Sequence, residues 1–152
     1  MYESEKTAFL QKYTAVSDQL YRIAVLVTGK PDLAVHVVEN AALECYRSTD
    51  RTPFDEKIYF HLWMACECCE PLWGYHYRKN LCELHGVNVD AGCPALIDAL
   101  SKREKEERMV LAMTILVGHT PAQIAPLFSA SAPEVERAIK KICKGMHFNV
   151  LS

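Results

Sequence analysis

The chain has 152 residues, half of them hydrophobic, which is enough for one sizeable core or two small helical ones. No apolar run reaches the roughly 18 residues needed to span a bilayer, and the opening Met-Tyr-Glu-Ser-Glu-Lys is too charged for a secretory signal. A cytoplasmic protein without membrane association is expected, its seven cysteines, an odd count, present as thiols rather than a disulfide framework. The net charge of −2 conceals an asymmetry: residues 1–99 carry 9 Lys/Arg against 14 Asp/Glu, whereas residues 100–152 carry 8 against 5. Only the C-terminal part has the sign of a nucleic-acid surface.

Nearly every segment reads as helix, and no alternating strand pattern appears. From about Glu5 to Thr28, Phe9, Tyr13, Val16, Leu20, Ile23, Ala24 and Val27 recur at three- and four-residue spacing, and Gly29 marks the stop. Pro31-Asp32 restarts a helix with Leu33, Ala34, Val37, Val38, Ala41 and Cys45 on one side. After a polar break at Ser48–Pro53, Asp55 is positioned to cap a third helix, apolar nearly all round from Ile58 to Ala65 and ended or kinked by Pro71. Tyr77–Pro94, with Gly86 and Gly92, reads as looser chain; Pro94–Leu100 suits a short helix and Ser101–Val117 a long amphipathic one, stopped by Gly118.

Two capping boxes then follow eleven residues apart. Thr120-Pro121-Ala122-Gln123 and Ser131-Ala132-Pro133-Glu134 each place a hydroxyl at the N-cap, Pro in the first turn and an amide or carboxylate at N3. A short helix, a tight connection through Phe128, Ser129 and Ala130, and a second helix are the pattern of a helix-turn-helix. Its core is expected at Ile115, Leu116, Ile124, Leu127, Val135, Ile139 and Ile142, leaving Arg137, Lys140, Lys141 and Lys144 on the outer face of the last helix. Such a face meets phosphates and base edges when the helix enters a major groove; a solvated helical hairpin has the same charges.

From Leu100 to Met146 the chain resembles region 4 of sigma-70-type transcription initiation factors, especially the small extracytoplasmic-function group. The resemblance rests on the charged Lys102–Arg108 opening, Met109-Val110-Leu111, Gly118-His119-Thr120, Gln123-Ile124-Ala125 and Ser131–Ala138. Leu20-Tyr21-Arg22-Ile23-Ala24 to Gly29, Pro31-Asp32-Leu33-Ala34 and Val38–Tyr46 resemble region 2 of the same family. The resemblance implies an all-α chain of two small helical domains, residues 1–78 and 100–152, joined by a linker at 79–99. It further implies RNA polymerase core, promoter DNA and an anti-sigma factor as partners, and transcription regulation without enzymatic activity. DNA contacts would fall on Ser131, Glu134, Arg137, Lys140, Lys141 and Lys144, and polymerase contacts on His36, Glu39, Asn40 and Leu43. Where the family pattern has Thr, Lys and Arg, this chain has Glu134, Glu136 and Ala138, which keeps open a second reading as a sigma-like protein-interaction module without promoter binding.

Cys66-Glu67-Cys68-Cys69, with His61, His76, Cys82, His85 and Cys93, invites a metal or redox reading. It lacks a second ligand pair at zinc-site spacing, so packed thiols and no metal are expected. No phosphate-binding glycine loop or nucleophile elbow is present, and no catalytic residue or cofactor is expected. Trp63, Trp73, Tyr59, Phe60, Tyr75 and Tyr77 have the chemistry to stack unpaired bases, but a core role suits them better.

Overall fold

The computed structural model describes residues 2–82 and 94–146, and no strand occurs among them. Eight α-helices follow in order: α1 Tyr2–Thr28, α2 Pro31–Arg47, α3 Phe54–Glu67, α4 Gly74–Cys82, α5 Pro94–Leu100, α6 Lys105–Ala112, α7 Pro121–Ile124 and α8 Ala132–Met146. A π-helical turn, Met113–Val117, prolongs α6, and a 3-10 turn, Ala125–Phe128, prolongs α7.

The expected α1 and α2 form as the apolar spacing requires. In α2, Ala34, Val37, Val38, Ala41, Ala42 and Cys45 are buried against α1 and α3. Asp55 is not the cap of α3: the helix starts one residue earlier, after Pro53, and Asp55 lies in its first turn. Asp50 instead holds the preceding loop, its Oδ1 accepting from the Thr52 N–H at 2.9 Å and hydroxyl at 2.7 Å. Those donors hold the Asp50 carboxyl below its ordinary range.

Two further expectations are corrected. The stretch from Tyr77 is not loose chain but part of α4, whose Tyr77 and Leu81, one turn apart, are buried. Residues 83–93, including His85, Gly86, Gly92, Cys93 and much of the expected linker, lie outside the described residues. Nor does one helix run from Ser101 to Val117. The chain breaks after Leu100 and restarts at Lys105, where the Glu107 carboxylate reaches back to the Glu104 N–H at 3.4 Å.

The C-terminus of α1 explains much of the packing. A helix end leaves its last carbonyls without helical partners. Here each finds a different one. Val25 O accepts from the Gly29 N–H at 2.7 Å, Leu26 O from the Tyr77 hydroxyl, Val27 O from Arg108 Nη1 at 2.9 Å, and Thr28 O from the Leu72 N–H at 2.9 Å. Gly29 itself, at φ +74°, gives its carbonyl to Asn80 Nδ2 at 2.9 Å. A Cβ on Gly29 would lie 2.5 Å from the Tyr77 ring, so this turn needs both the left-handed backbone and the missing side chain.

Arg108 is the centre of this arrangement. The sequence places it in a charged run, yet it is 0% exposed. Its Nε donates to Arg103 O at 3.0 Å and its Nη2 to Leu72 O at 2.8 Å, and its guanidinium lies 4.3 Å from the Tyr77 ring centre and 4.9 Å from that of Trp73. Carbonyl oxygens, two ring faces and the negative end of the α1 dipole balance the charge. Burial still pulls its pKa below the ordinary arginine value, while Tyr77 and Glu104 oppose that shift.

α6 packs along α1 and also touches α3 and α8. The buried side chains of α1–α3 and of α6–α8 consequently belong to one continuous cluster, running from Leu20 to Cys143. Gln19 joins the two parts, its Nε2 donating to Leu116 O and its Oε1 accepting from the Tyr59 hydroxyl at 3.2 Å.

Candidate nucleic-acid interface

The helix-turn-helix assembles from local chemistry. Gly118, at φ 78°, ends the α6 segment. Thr120 caps α7: its N–H donates to Gln123 Oε1 at 2.8 Å, and its Oγ1 accepts from the Gln123 N–H at 3.3 Å. Ser129 makes the turn in the left-handed region, at φ 52°. The second box caps α8, the Glu134 N–H donating to Ser131 Oγ at 3.3 Å while Glu134 Oε1 accepts from the Ser131 N–H at 3.3 Å and hydroxyl at 2.9 Å. Each box contributes about 1 kcal/mol to helix initiation.

α8 has two distinct faces. Val135, Ile139, Ile142 and Cys143 are buried against α5, α6 and the α7 segment. Of the expected core, Ile124 is also buried, while Ile115, Leu116 and Leu127 are half-buried. Opposite them, Ser131, Glu134, Arg137, Lys140, Lys141 and Lys144 are all exposed. The structure brings these residues onto α8 and its cap, although their roles differ. Ser131 and Glu134 are engaged in the cap. Lys140 Nζ lies 3.1 Å from the Glu136 carboxylate, one turn back. Arg137, Lys141 and Lys144 form no ion pair among the described residues. Among the described residues the cationic face thus has three cations outside any ion pair and one within one.

The face expected to meet polymerase also forms a single surface. His36, Glu39, Asn40 and Leu43 recur at three- and four-residue spacing along the exposed side of α2, together with the exposed Val35. Glu39 borders Tyr13, whose hydroxyl is pushed up by burial and then by that carboxylate.

The aromatic residues divide. Tyr59, Trp63 and Tyr77 are core, whereas Phe60, Trp73 and Tyr75 are exposed. Trp63 meets Phe128 edge-on at 5.0 Å, and Tyr59 meets His119 at 5.2 Å, so α3 braces both ends of the α7 segment. Burial lowers the His119 pKa, with Asp55 opposing.

Two of the three cysteines in the cluster, Cys66 and Cys69, are shielded, while Cys68 is exposed. Cys66 is wholly buried and its thiol is pushed up to about 12 by burial, with Cys69 adding to the shift. Cys69 is half-buried and also raised, first by burial and then by Cys68. Among the described residues no group of three or more His, Cys, Asp or Glu could hold a metal ion; His61 is half-buried and His76 exposed. Because the thiolate is the reacting species, iodoacetamide at neutral pH is expected to alkylate exposed Cys68 well before Cys45, Cys66 and Cys143, as read by peptide mass spectrometry. Modification of Cys66 at the rate of Cys68 in the native state would contradict this burial.

Arg108, Tyr77 and Gly29 act as a unit through non-local contacts, which the sequence does not display. The available signal was Gly29 after a long helix, which marks a turn but not what packs on it. No protein-family profile matches the chain, and neither a curated protein nor a solved structure shows detectable similarity to it.

Proposed function

We propose that the protein is a sigma-factor-like transcription regulator, cytoplasmic and non-enzymatic, which binds promoter DNA through α8 and RNA polymerase core through α2. The observation that carries the reading is α8 itself, a capped second helix of a helix-turn-helix whose exposed face bears Arg137, Lys140, Lys141 and Lys144. Cations spaced three, four and seven residues apart follow one side of a helix and suit a row of phosphates. On α2, His36, Glu39, Asn40 and Leu43 offer a mixed polar and apolar surface for polymerase.

A Lys140→Ala/Lys141→Ala double variant tests the reading. Both side chains are exposed, so folding is expected to be retained. If both meet phosphates, DNA affinity falls and the slope of log K against log salt flattens by about 1.8. An unchanged slope in fluorescence-anisotropy titrations refutes phosphate contact by these lysines.

A second reading, a sigma-like protein-interaction module that partners or antagonises a sigma factor, is favoured by the Glu136–Lys140 pair and by Glu134 on the same face. Carboxylates beside phosphates are repelled. Reconstitution with core polymerase distinguishes the two: promoter-specific run-off transcripts support the first reading, and polymerase binding without initiation supports the second.

A further inference from the structure

A cleft of about 340 Å³ opens between the N-terminal half of α1, the end of α2 and the start of α3. Its volume falls within the range of small-molecule sites, about 300–1,000 Å³. Three aromatic rings line it. Phe9 lies 5.1 Å from Tyr46 and 5.5 Å from Phe54, the latter edge-to-face at 86°. Buried Cys45 also lines the cleft, while Lys12, Lys57 and Glu5 supply its charges.

The two cations differ in kind. Lys57 is fixed, its ammonium donating to Asp50 O at 2.7 Å and Ser48 O at 3.3 Å. An ammonium has three donors, so one remains to face an anion. Lys12 is exposed and forms no ion pair among the described residues. The ammoniums outnumber the single carboxylate, Glu5, beside rings that favour stacked or edge-on aromatic contact.

We propose that this cleft binds a small aromatic carboxylate, its ring against Phe9, Tyr46 and Phe54 and its carboxylate between Lys12 and Lys57. Nothing in this proposal depends on α8 binding DNA. With two cations lining it, the cleft suits one acidic group better than a nucleic-acid backbone, which needs a row of them.

The test is titration of the full-length ¹⁵N-labelled protein with phenylacetate, salicylate and indole-3-acetate, followed by two-dimensional NMR. Indole and tryptamine serve as neutral and cationic controls. At least one acid is expected to bind saturably, with shifts centred on residues 5–12 and 45–57, and more tightly than the amine. Lys12→Glu, on the exposed side of α1, should weaken the acid about three- to fivefold, the range for an exposed ion pair, and leave indole unchanged. Ala8→Trp, also exposed and at the cleft wall, should fill the space and abolish binding without disturbing the core. No saturable binding of any acid, equal affinity for indole-3-acetate and tryptamine, or an acid affinity untouched by both variants would overturn the proposal.

Discussion

Arg108→Met is expected to lower stability by about 3–5 kcal/mol, seen as a large fall in the urea midpoint. Methionine keeps a flexible apolar stem of similar course, so the substitution chiefly removes the guanidinium. Three carbonyls then lose a donor: Val27 O, Leu72 O and Arg103 O. A buried acceptor left unsatisfied costs about 1–3 kcal/mol. Trp73 and Tyr77 lose their shared cation as well. Replacing a buried charge by an apolar group can stabilise a protein when its partner is removed too. Here the partners are main-chain carbonyls, which no side-chain substitution removes. Arg108→Lys is expected to fall between the two, because an ammonium cannot reproduce the planar fork that meets Val27 O and Leu72 O together. An unchanged midpoint in Arg108→Met would mean that water reaches these carbonyls and that the contact contributes little.

The same residue shows where sequence reasoning stopped. Lys102–Arg108 reads as the charged opening of an amphipathic helix, because burying one of its cations needs acceptors that lie 81 residues away at Val27 and 36 away at Leu72. No local pattern encodes that. The break before α6 escaped for a related reason: its N-cap is Glu104, not one of the short polar residues that usually announce a helix start. Among the described residues of α4, Tyr77 and Leu81 are core and their neighbours mostly polar, too few for a convincing period. Local features were legible. Both capping boxes, the Gly118 stop and the outward cations of α8 depend on contacts within three to five residues, which the sequence displays directly. The Glu136–Lys140 pair also has that spacing, and helix geometry alone anticipates it. The cleft beside Phe9 was not legible, since it joins residues 9, 46 and 54 across three helices.

A fragment of residues 94–152, carrying α5 to α8, is expected to retain part of its helix content but lose fixed tertiary packing. Its caps are local and would still start α7 and α8. Its core is shared. α6 lies along α1, Gln19 holds Leu116 O, Trp63 packs on Phe128, and the partners of Arg108 at Val27, Leu72, Trp73 and Tyr77 all precede residue 94. Exposing two or three large side chains of the kind α6 buries costs about 3–9 kcal/mol, as much as the whole stability of many domains. Narrow amide dispersion in the NMR spectrum, with far-ultraviolet helix signal retained, is the expected result. A well-dispersed spectrum would show that residues 94–152 fold alone, and that α1 adds only a docking surface. The distinction bears on DNA binding. If α6 needs α1 to set its position, α8 with Arg137, Lys140, Lys141 and Lys144 is held at a fixed angle to α7 only in the intact chain. Under the proposed DNA-binding role, the fragment would then bind DNA more weakly than the full protein at equal salt, despite carrying all four cations.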